Sequence, residues 1–202
     1  ISVLPEKITG AANGANTSAV FAGTNPNNGK RYVYLETLGG GMGARFTKDG
    51  KDGVQVHLTN TSNLPVEAIE MEYPLRVEEY SFVENSGGAG KYRGGLGIRR
   101  IIRPIAHKCE FSGVGERFKH SPWGVFGGQP GKPGKFYLKH KNGKITNLSS
   151  KSSSIYTNEN DAIVMETPGA GGYGNPKKRT KNNILKDKIS GKFSNSFLKK
   201  YY

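Results

Sequence analysis

The sequence predicts a mainly β fold: a β-rich α+β domain of short antiparallel strands with long glycine-rich loops, followed by a basic tail that is disordered or weakly helical. Short apolar runs recur at intervals of about ten residues, the spacing of all-β domains. The 202 residues include 29 glycines and 10 prolines, without the strict three-residue period of collagen. After Gly174-Asn175-Pro176 the pattern stops, and a Lys/Asn/Ser-rich stretch runs to Tyr202.

Taken in order, residues 1–30 read as irregular coil. They hold Pro5, Pro26 and a Gly/Ala/Asn/Thr/Ser run, with one short apolar piece at 19–22. Residues 31–36 alternate as a strand. Asp52-Gly53 signals a turn, after which Val54, Val56 and Leu58 alternate with Gln55 and His57. That period of two predicts a short strand carrying His57 on its polar face. Pro65 suits the first position of a helix, and Val66, Ile69 and Glu70 have helical spacing, so a turn or two is expected over 65–73. Strands follow at 75–83, 97–105, 109–114, 135–140, 144–148, 152–156 and 162–166. Asn142-Gly143, between two of them, is the clearest hairpin signal. No repeat period supports a solenoid or propeller. The chain therefore divides into a β-rich domain, 1–176, and a Lys/Asn-rich tail, 177–202. In the tail, Ile184, Leu185, Ile189, Phe193, Phe197 and Leu198 permit a weak amphipathic helix broken at Gly191. Its composition favours a solvated, disordered segment.

Composition narrows the function classes. Hydrophobic content of 34% and a mean hydropathy of −0.60 are low for a compact globule, yet 10% aromatics argue against wholesale disorder. No apolar run reaches the length of a membrane span or a signal-peptide core. Cys109 is the one cysteine, so no internal disulfide forms and a reducing, cytoplasmic setting is expected. Its place in a strand suggests a buried, inert thiol. Beginning at Ile1, the chain reads as a processed, truncated or partial product. The net charge of +14 sits mostly in the tail, where nine lysines and arginines face one acid, Asp187. The body lacks a basic stripe interleaved with aromatics, which makes a nucleic-acid-binding module the weaker class.

The densest signal is Leu38-Gly39-Gly40-Gly41-Met42-Gly43-Ala44-Arg45. Clustered glycines imply positive φ or a backbone approached closely by a ligand or another chain. Arg45, His57 and the Thr59-Asn60-Thr61 cluster follow closely, which suits a polar or anionic small molecule. A second loop, from Ser86 to Gly97, holds Lys91 and Arg93 but lacks the Gly-Lys-Ser/Thr order of a phosphate loop. Lys91 and Arg93 are instead assigned to an anion or an acidic partner surface. Nor does the strand after Gly97 carry the acidic residue of a dinucleotide fingerprint. No His/Cys/Asp/Glu spacing marks a metal site. Trp123, with Pro122 and Phe126, reads as a core or turn anchor. His107, His120 and His140 have no motif around them and are expected at the surface.

These blocks, in this order and spacing, resemble the carboxyl-terminal part of the hydantoinase B/oxoprolinase family. They are Glu36 to Arg45; His57-Leu58-Thr59-Asn60-Thr61 with Asn63, Pro65, Val66 and Glu67; Tyr73 to Val77; Ser86 to Gly97; Pro122 to Gly128; and Glu166 to Gly174. The resemblance implies one part of a longer subunit that works with a hydantoinase A-type, ATP-binding partner to open a cyclic amide such as 5-oxoproline or a hydantoin. Related members carboxylate ketones. An unstrained lactam resists hydrolysis, so ATP would turn its oxygen into a leaving group before water attacks.

The family's metal-binding His/Asp motifs lie in an amino-terminal half not contained here. No cofactor is therefore expected on this chain, although ATP and a divalent metal are implied for the full complex, and the chain alone is expected to be inactive. The family often has a second histidine where Gln55 stands, which leaves His57 open as a catalytic residue or a hydrogen-bonded structural one, with Glu67 or Glu70 to orient it. Gly40, Gly41, Arg45, Thr59, Asn60, Lys91, Arg93 and Arg117 are the expected contacts to substrate or partner. Glycine N–H groups in these loops would help hold developing charge. A non-catalytic scaffold remnant of such a complex is the alternative.

Overall fold

The computed structural model describes residues 4–56 and 58–202. Two antiparallel sheets form its frame. The first has four strands in the order β2-β1-β5-β8, and the second five in the order β3-β4-β9-β6-β7. The strands are β1 (Thr17–Thr24), β2 (Arg31–Leu38), β3 (Leu75–Phe82), β4 (Ile98–Pro104), β5 (Cys109–Val114), β6 (Lys135–Lys139), β7 (Ile145–Leu148), β8 (Lys151–Thr157) and β9 (Ala162–Glu166). One helix, α1 (Val66–Glu72), lies between β2 and β3 and buries Ile69, as its spacing predicted. Asn142-Gly143 turns β6 into β7, with Gly143 at φ +82°.

Alternation of side chains explains the frame. In β4 and β5 every second residue is buried, as are Thr17, Ala19 and Phe21 of β1, and these faces meet between the sheets. Phe21, Tyr34, Leu38 and Phe111 from the first sheet share a core with Leu75, Ile102, Phe136, Ile163 and Met165 from the second. The ring of Phe111 stands edge-on to that of Phe136, 5.6 Å between centroids. β9 is buried along its whole length, as a central strand between β4 and β6 should be. The predicted mainly β, antiparallel fold is the one found.

Two local expectations fail. β1 occupies a stretch read as coil, because Gly14 and the Asn/Thr run masked the alternation of Ala19 and Phe21. The strand expected over Val54 to Leu58 reduces to a single bridge between Val54 and Gly40. There the Gln55 and Thr59 side chains bond Asn16, and Gln55 Nε2 donates to Thr37 O of β2, so side chains take the place of ladder bonds.

The glycine-rich segments form a further layer with no regular helix or strand. They bond to one another: Gly10 N–H to Ala44 O at 2.8 Å, Ala44 N–H to Gly171 O at 3.0 Å, Gly171 N–H to Ala11 O at 2.9 Å and Ala11 N–H to Trp123 O at 2.8 Å. A Cβ on Gly43 would overlap the carbonyl of Gly10, and one on Gly171 that of Trp123. Close approach, by other segments of the same chain, is what these positions require. The N–H groups of Gly10, Gly40, Gly41, Gly94, Gly95 and Gly171 are bonded to backbone carbonyls inside the fold, which removes those six as donors to a ligand.

Of the two readings of the tail, the helical one is realised. α2 (Lys181–Ile189) and α3 (Asn195–Tyr201) flank Gly191, whose φ is +67°. Thr180 and Ser194 cap them, accepting from the N–H groups of Asn183 and Phe197. Phe193 and Leu198 bury against Leu96 of the second glycine loop. The tail is thus packed on the body instead of being solvated.

Candidate functional site

The segment 11–17, at the entry to β1, gathers residues from four distant blocks. The Asn13 N–H donates to Gly41 O at 3.0 Å, and the Asn13 side chain fills the space that a Cβ on Gly40 would take. Gly14, at φ +86°, sits against Glu116 and Arg117. The Ala15 N–H reaches Glu116 Oε2 at 2.9 Å. Asn16 Nδ2 donates to Gln55 Oε1 at 2.8 Å and to Thr59 Oγ1 at 2.6 Å. Thr59 in turn bonds Gln55.

From Gln55 a polar seam continues inward. Gln55 Nε2 and Asn63 Nδ2 both donate to Thr37 O, at 3.0 and 2.9 Å. Asn63 Nδ2 also reaches Glu36 Oε1 at 2.9 Å, and the Leu64 N–H joins it at 3.2 Å. Glu36 is ion-paired with the fully buried Arg100 and accepts from Tyr34 OH at 2.6 Å. Burial, then that bond to Glu36, pushes the Tyr34 phenol well above its usual range. The Arg100 guanidinium lies 4.1 Å over the ring of Tyr80, whose hydroxyl donates to Asn63 Oδ1 at 3.1 Å.

Several atoms of this seam have no hydrogen-bond partner among the described residues. They are both ends of the Asn13 amide, Asn16 Oδ1, Thr17 Oγ1, and Arg100 Nε and Nη2. Asn13, Thr17 and Arg100 are fully buried. A buried polar group without a partner costs about 1–3 kcal/mol, and buried groups in folded proteins are nearly always satisfied.

The residues expected at the site divide into two groups. Gly40, Gly41, Thr59 and Arg117 meet around 11–17. Gly40 and Gly41 act there as surfaces for close packing, because their N–H groups bond Val54 O and Pro168 O, each at 3.0 Å. Asn60 is exposed beside Thr59 at φ +48°. Arg117, at φ +56°, lays its guanidinium 4.4 Å over Trp123. Trp123 is 53% exposed, so of the core or turn anchor expected the core reading fails, while its carbonyl accepts the Ala11 N–H at 2.8 Å and Phe126 packs against Tyr173. His57 lies outside the described residues. Its neighbour Leu58 is 87% exposed. Glu70, a candidate to orient His57, accepts the Val77 N–H at 2.9 Å.

Arg45, Lys91 and Arg93 lie apart from this group. Arg45 is half-buried, with Nε unpartnered among the described residues. Lys91 is exposed, its Nζ 5.3 Å from the Tyr92 ring centroid. Arg93 does not meet an outside anion: Asp52 takes Nη1 at 2.7 Å and Asp187 takes Nε at 3.1 Å. Nor is His107 simply a surface residue, since its Nε2 lies 2.7 Å from Tyr32 OH and its Nδ1 2.9 Å from Ile105 O. Cys109 is buried, and burial pushes its thiol up, so it fits the inert role expected of it.

With backbone carbonyls already filling the glycine loops, the loops do not fit a nucleotide's phosphates. No group of three His, Cys, Asp or Glu side chains among the described residues is placed to share a metal ion. No helix among them is long and apolar enough to cross a membrane.

Residues 1–176, which carry the whole seam, match the family described as hydantoinase B/oxoprolinase. The chain belongs to that family. It is 44% identical over 190 residues to an uncharacterized protein of Methanocaldococcus jannaschii, covering 94% of this chain and 32% of that protein. It is 33% identical over 190 residues to a Pseudomonas protein named as a candidate B-type component of a D-/L-hydantoinase, covering 94% and 31%. The chain thus spans about a third of the length of these relatives. The fold is that of an ATP-dependent caprolactamase from Pseudomonas jessenii, with a TM-score of 0.83 at 23% identity over 97% of this chain and 35% of that one.

Asn13, Asn16, Thr17, Glu116 and the Glu36–Arg100 pair are the residues that sequence reasoning missed. Glu36 stands in a quoted block, yet nothing local pairs it with Arg100, 64 positions away. The Asn-Gly-Ala-Asn-Thr run at 13–17 has no period, so the sequence by itself gives coil there.

Proposed function

We propose that this chain is the carboxyl-terminal part of a hydantoinase B/oxoprolinase subunit. It would act with an ATP-binding A-type subunit in the ATP-dependent hydrolysis of a cyclic amide, 5-oxoproline or a hydantoin. The observation that carries the reading is the convergence of the family's blocks on 11–17, where the Asn16 and Gln55 amides meet the exposed Thr59 hydroxyl beside Asn60. A lactam ring carries one N–H donor and one C=O acceptor, and carboxamides and hydroxyls complement both. The role of this chain is then to hold and orient the ring, with Arg117 on Trp123 at the rim. ATP, bound on the partner, would supply the activation of the lactam oxygen, for which the glycine loops here offer no cradle. A divalent metal would sit on the portion of the subunit that carries the family's His/Asp motifs.

The test uses the complete subunit reconstituted with its ATP-binding partner and assayed with ATP on 5-oxoproline and on hydantoin. Ring opening is expected, and Asn16→Ala is expected to lower kcat/KM by about tenfold or more, mainly through KM, the result of lost substrate binding. Carboxylation of a ketone in place of ring opening would assign the subunit to the other branch of the family. Unchanged kinetics in Asn16→Ala would remove the seam from the site. No turnover by any reconstituted complex would leave the scaffold reading.

A further inference from the structure

The tail holds a second kind of surface, one outside the span that matches the family. Asp187, its one acid, is buried between Arg93 and Arg179. Of the tail's nine basic residues, Arg179 is buried on Asp49 and Asp187, and Lys192 is paired with Asp52. The others, Lys177, Lys178, Lys181, Lys186, Lys188, Lys199 and Lys200, are exposed and have no ion pair among the described residues. The fold has therefore neutralised the tail's acid internally and turned its lysines outward.

α2 adds an apolar element to that charge. It docks through Ile184 and Asp187, and leaves Leu185 53% and Ile189 77% exposed. Those two stand one turn apart on a single face, among Lys181, Lys186 and Lys188. The helix is held to the body by the Arg179 and Lys192 pairs, by the Asn85–Ser194 bond at 3.0 Å and by the Phe193–Leu198 cluster. A rigid face with two aliphatic anchors in a basic field is an interface in kind: central apolar contacts and a charged rim.

We propose that the outward face of α2 is a docking surface for an acidic, apolar-centred patch of a protein partner, namely the ATP-binding subunit; this rests on the two-subunit reading above. Charge selects an acidic occupant. Leu185 and Ile189 select a protein, because a phosphate backbone offers no apolar pocket and the exposed side chains include no base-stacking ring on α2. Two aliphatic side chains on a helix of nine residues also give little insertion into a lipid surface, where stable anchoring draws on larger apolar area.

The test measures association of the complete subunit with its ATP-binding subunit over a range of salt. Lys181→Gln/Lys186→Gln/Lys188→Gln is expected to weaken binding about tenfold at low salt and to flatten the salt dependence. Leu185→Ser/Ile189→Ser is expected to speed dissociation while leaving the salt slope unchanged. Lys141→Gln/Lys144→Gln, on the β6–β7 turn, controls for net charge and is expected to bind as wild type. Acetylation of Lys181, Lys186 and Lys188 by a soluble ester is expected in the subunit alone and suppressed in the complex.

Wild-type affinity in both α2 variants would overturn the docking surface while the two-subunit reading stands. A wild-type subunit that binds no ATP-binding subunit at any salt would overturn that reading, and the docking surface with it. Protection of the three lysines in the isolated subunit would assign the face to another part of the same polypeptide. Lysine-dependent binding to RNA or to phosphatidylglycerol vesicles, with subunit association intact, would assign it to those occupants. Either result overturns the proposal.

Discussion

Two buried polar networks in this molecule have opposite character. In the clamp that fixes the tail, every charge is matched: Arg179 grips Asp49 with both Nη atoms, at 2.8 and 2.9 Å, and Asp187 with Nε at 3.0 Å. Arg93 bridges Asp187 and Asp52, and Lys192 completes Asp52 at 2.8 Å. In the seam below β2, Glu36 and Arg100 are paired, yet amide, hydroxyl and guanidinium atoms around them go without partners. A satisfied network secures a fold, whereas taking an unmatched polar end out of a buried one costs little. The two should therefore respond differently to substitution.

The largest effect is expected in the clamp. Arg179→Met removes the shared cation and leaves Asp187 and Asp49 facing each other across a buried space. Removing one partner of a buried pair costs about 3–5 kcal/mol, so the denaturant midpoint should fall sharply and the tail should become protease-sensitive. A midpoint within error of wild type would mean that the tail helices contribute nothing to the body, which the sequence pattern ending at Pro176 by itself suggested.

That contrast also shows what could be read from the sequence. The strands of both sheets, α1 and the Asn142-Gly143 hairpin follow from periods and turn residues, which are local. The Gly39–Gly43 run announces close approach, and the approach is real, but the partners are Gly10, Asn13, Val54, Gly95 and Pro168 to Ala170 of the same chain. Arg93 was legible as a cation needing an acid, though not as one already supplied with Asp52 and Asp187. The tail's helices were half-visible in its apolar spacing. Their docking depends on Leu96 and Asp49, which lie about 90 to 130 residues away, a range no periodicity reaches. In the site, the blocks were visible one by one, whereas the hub at 11–17 that joins them has no periodic signature.

The next effect is smaller and depends on pH. Burial raises the Asp52 carboxyl, and the bonds from Arg93, Lys192 and the Leu96 N–H outweigh it, so the group sits below the usual carboxylate range. A carboxylate depressed in the folded state stabilises it at pH values above its unfolded pKa of about 4, and that contribution is lost as pH falls through the folded value. Stability should therefore drop below about pH 4 in the wild type, and Asp52→Asn should be less stable at neutral pH with a shallower acid decline. Equal acid slopes in the two proteins would take Asp52 out of the clamp's pH response.

The smallest effect on stability belongs to the seam. Asn13 is fully buried, yet its amide bonds nothing among the described residues. Asn13→Leu keeps the side-chain size and removes two unmatched polar ends, an exchange that is nearly neutral or stabilising. The midpoint should change by no more than about 0.5 kcal/mol, and it should rise if it moves. Ring opening by the reconstituted enzyme should fall all the same, because the Asn13 side chain packs on Gly40 and sets the path of the segment that carries Asn16. A stability loss above about 2 kcal/mol would show that the Asn13 amide is bonded in solution and belongs, like the clamp, to the architecture. A neutral midpoint with full activity would leave the buried amide without a role in either network, and would shift attention to Asn16 and Thr59 as the groups that face the ligand.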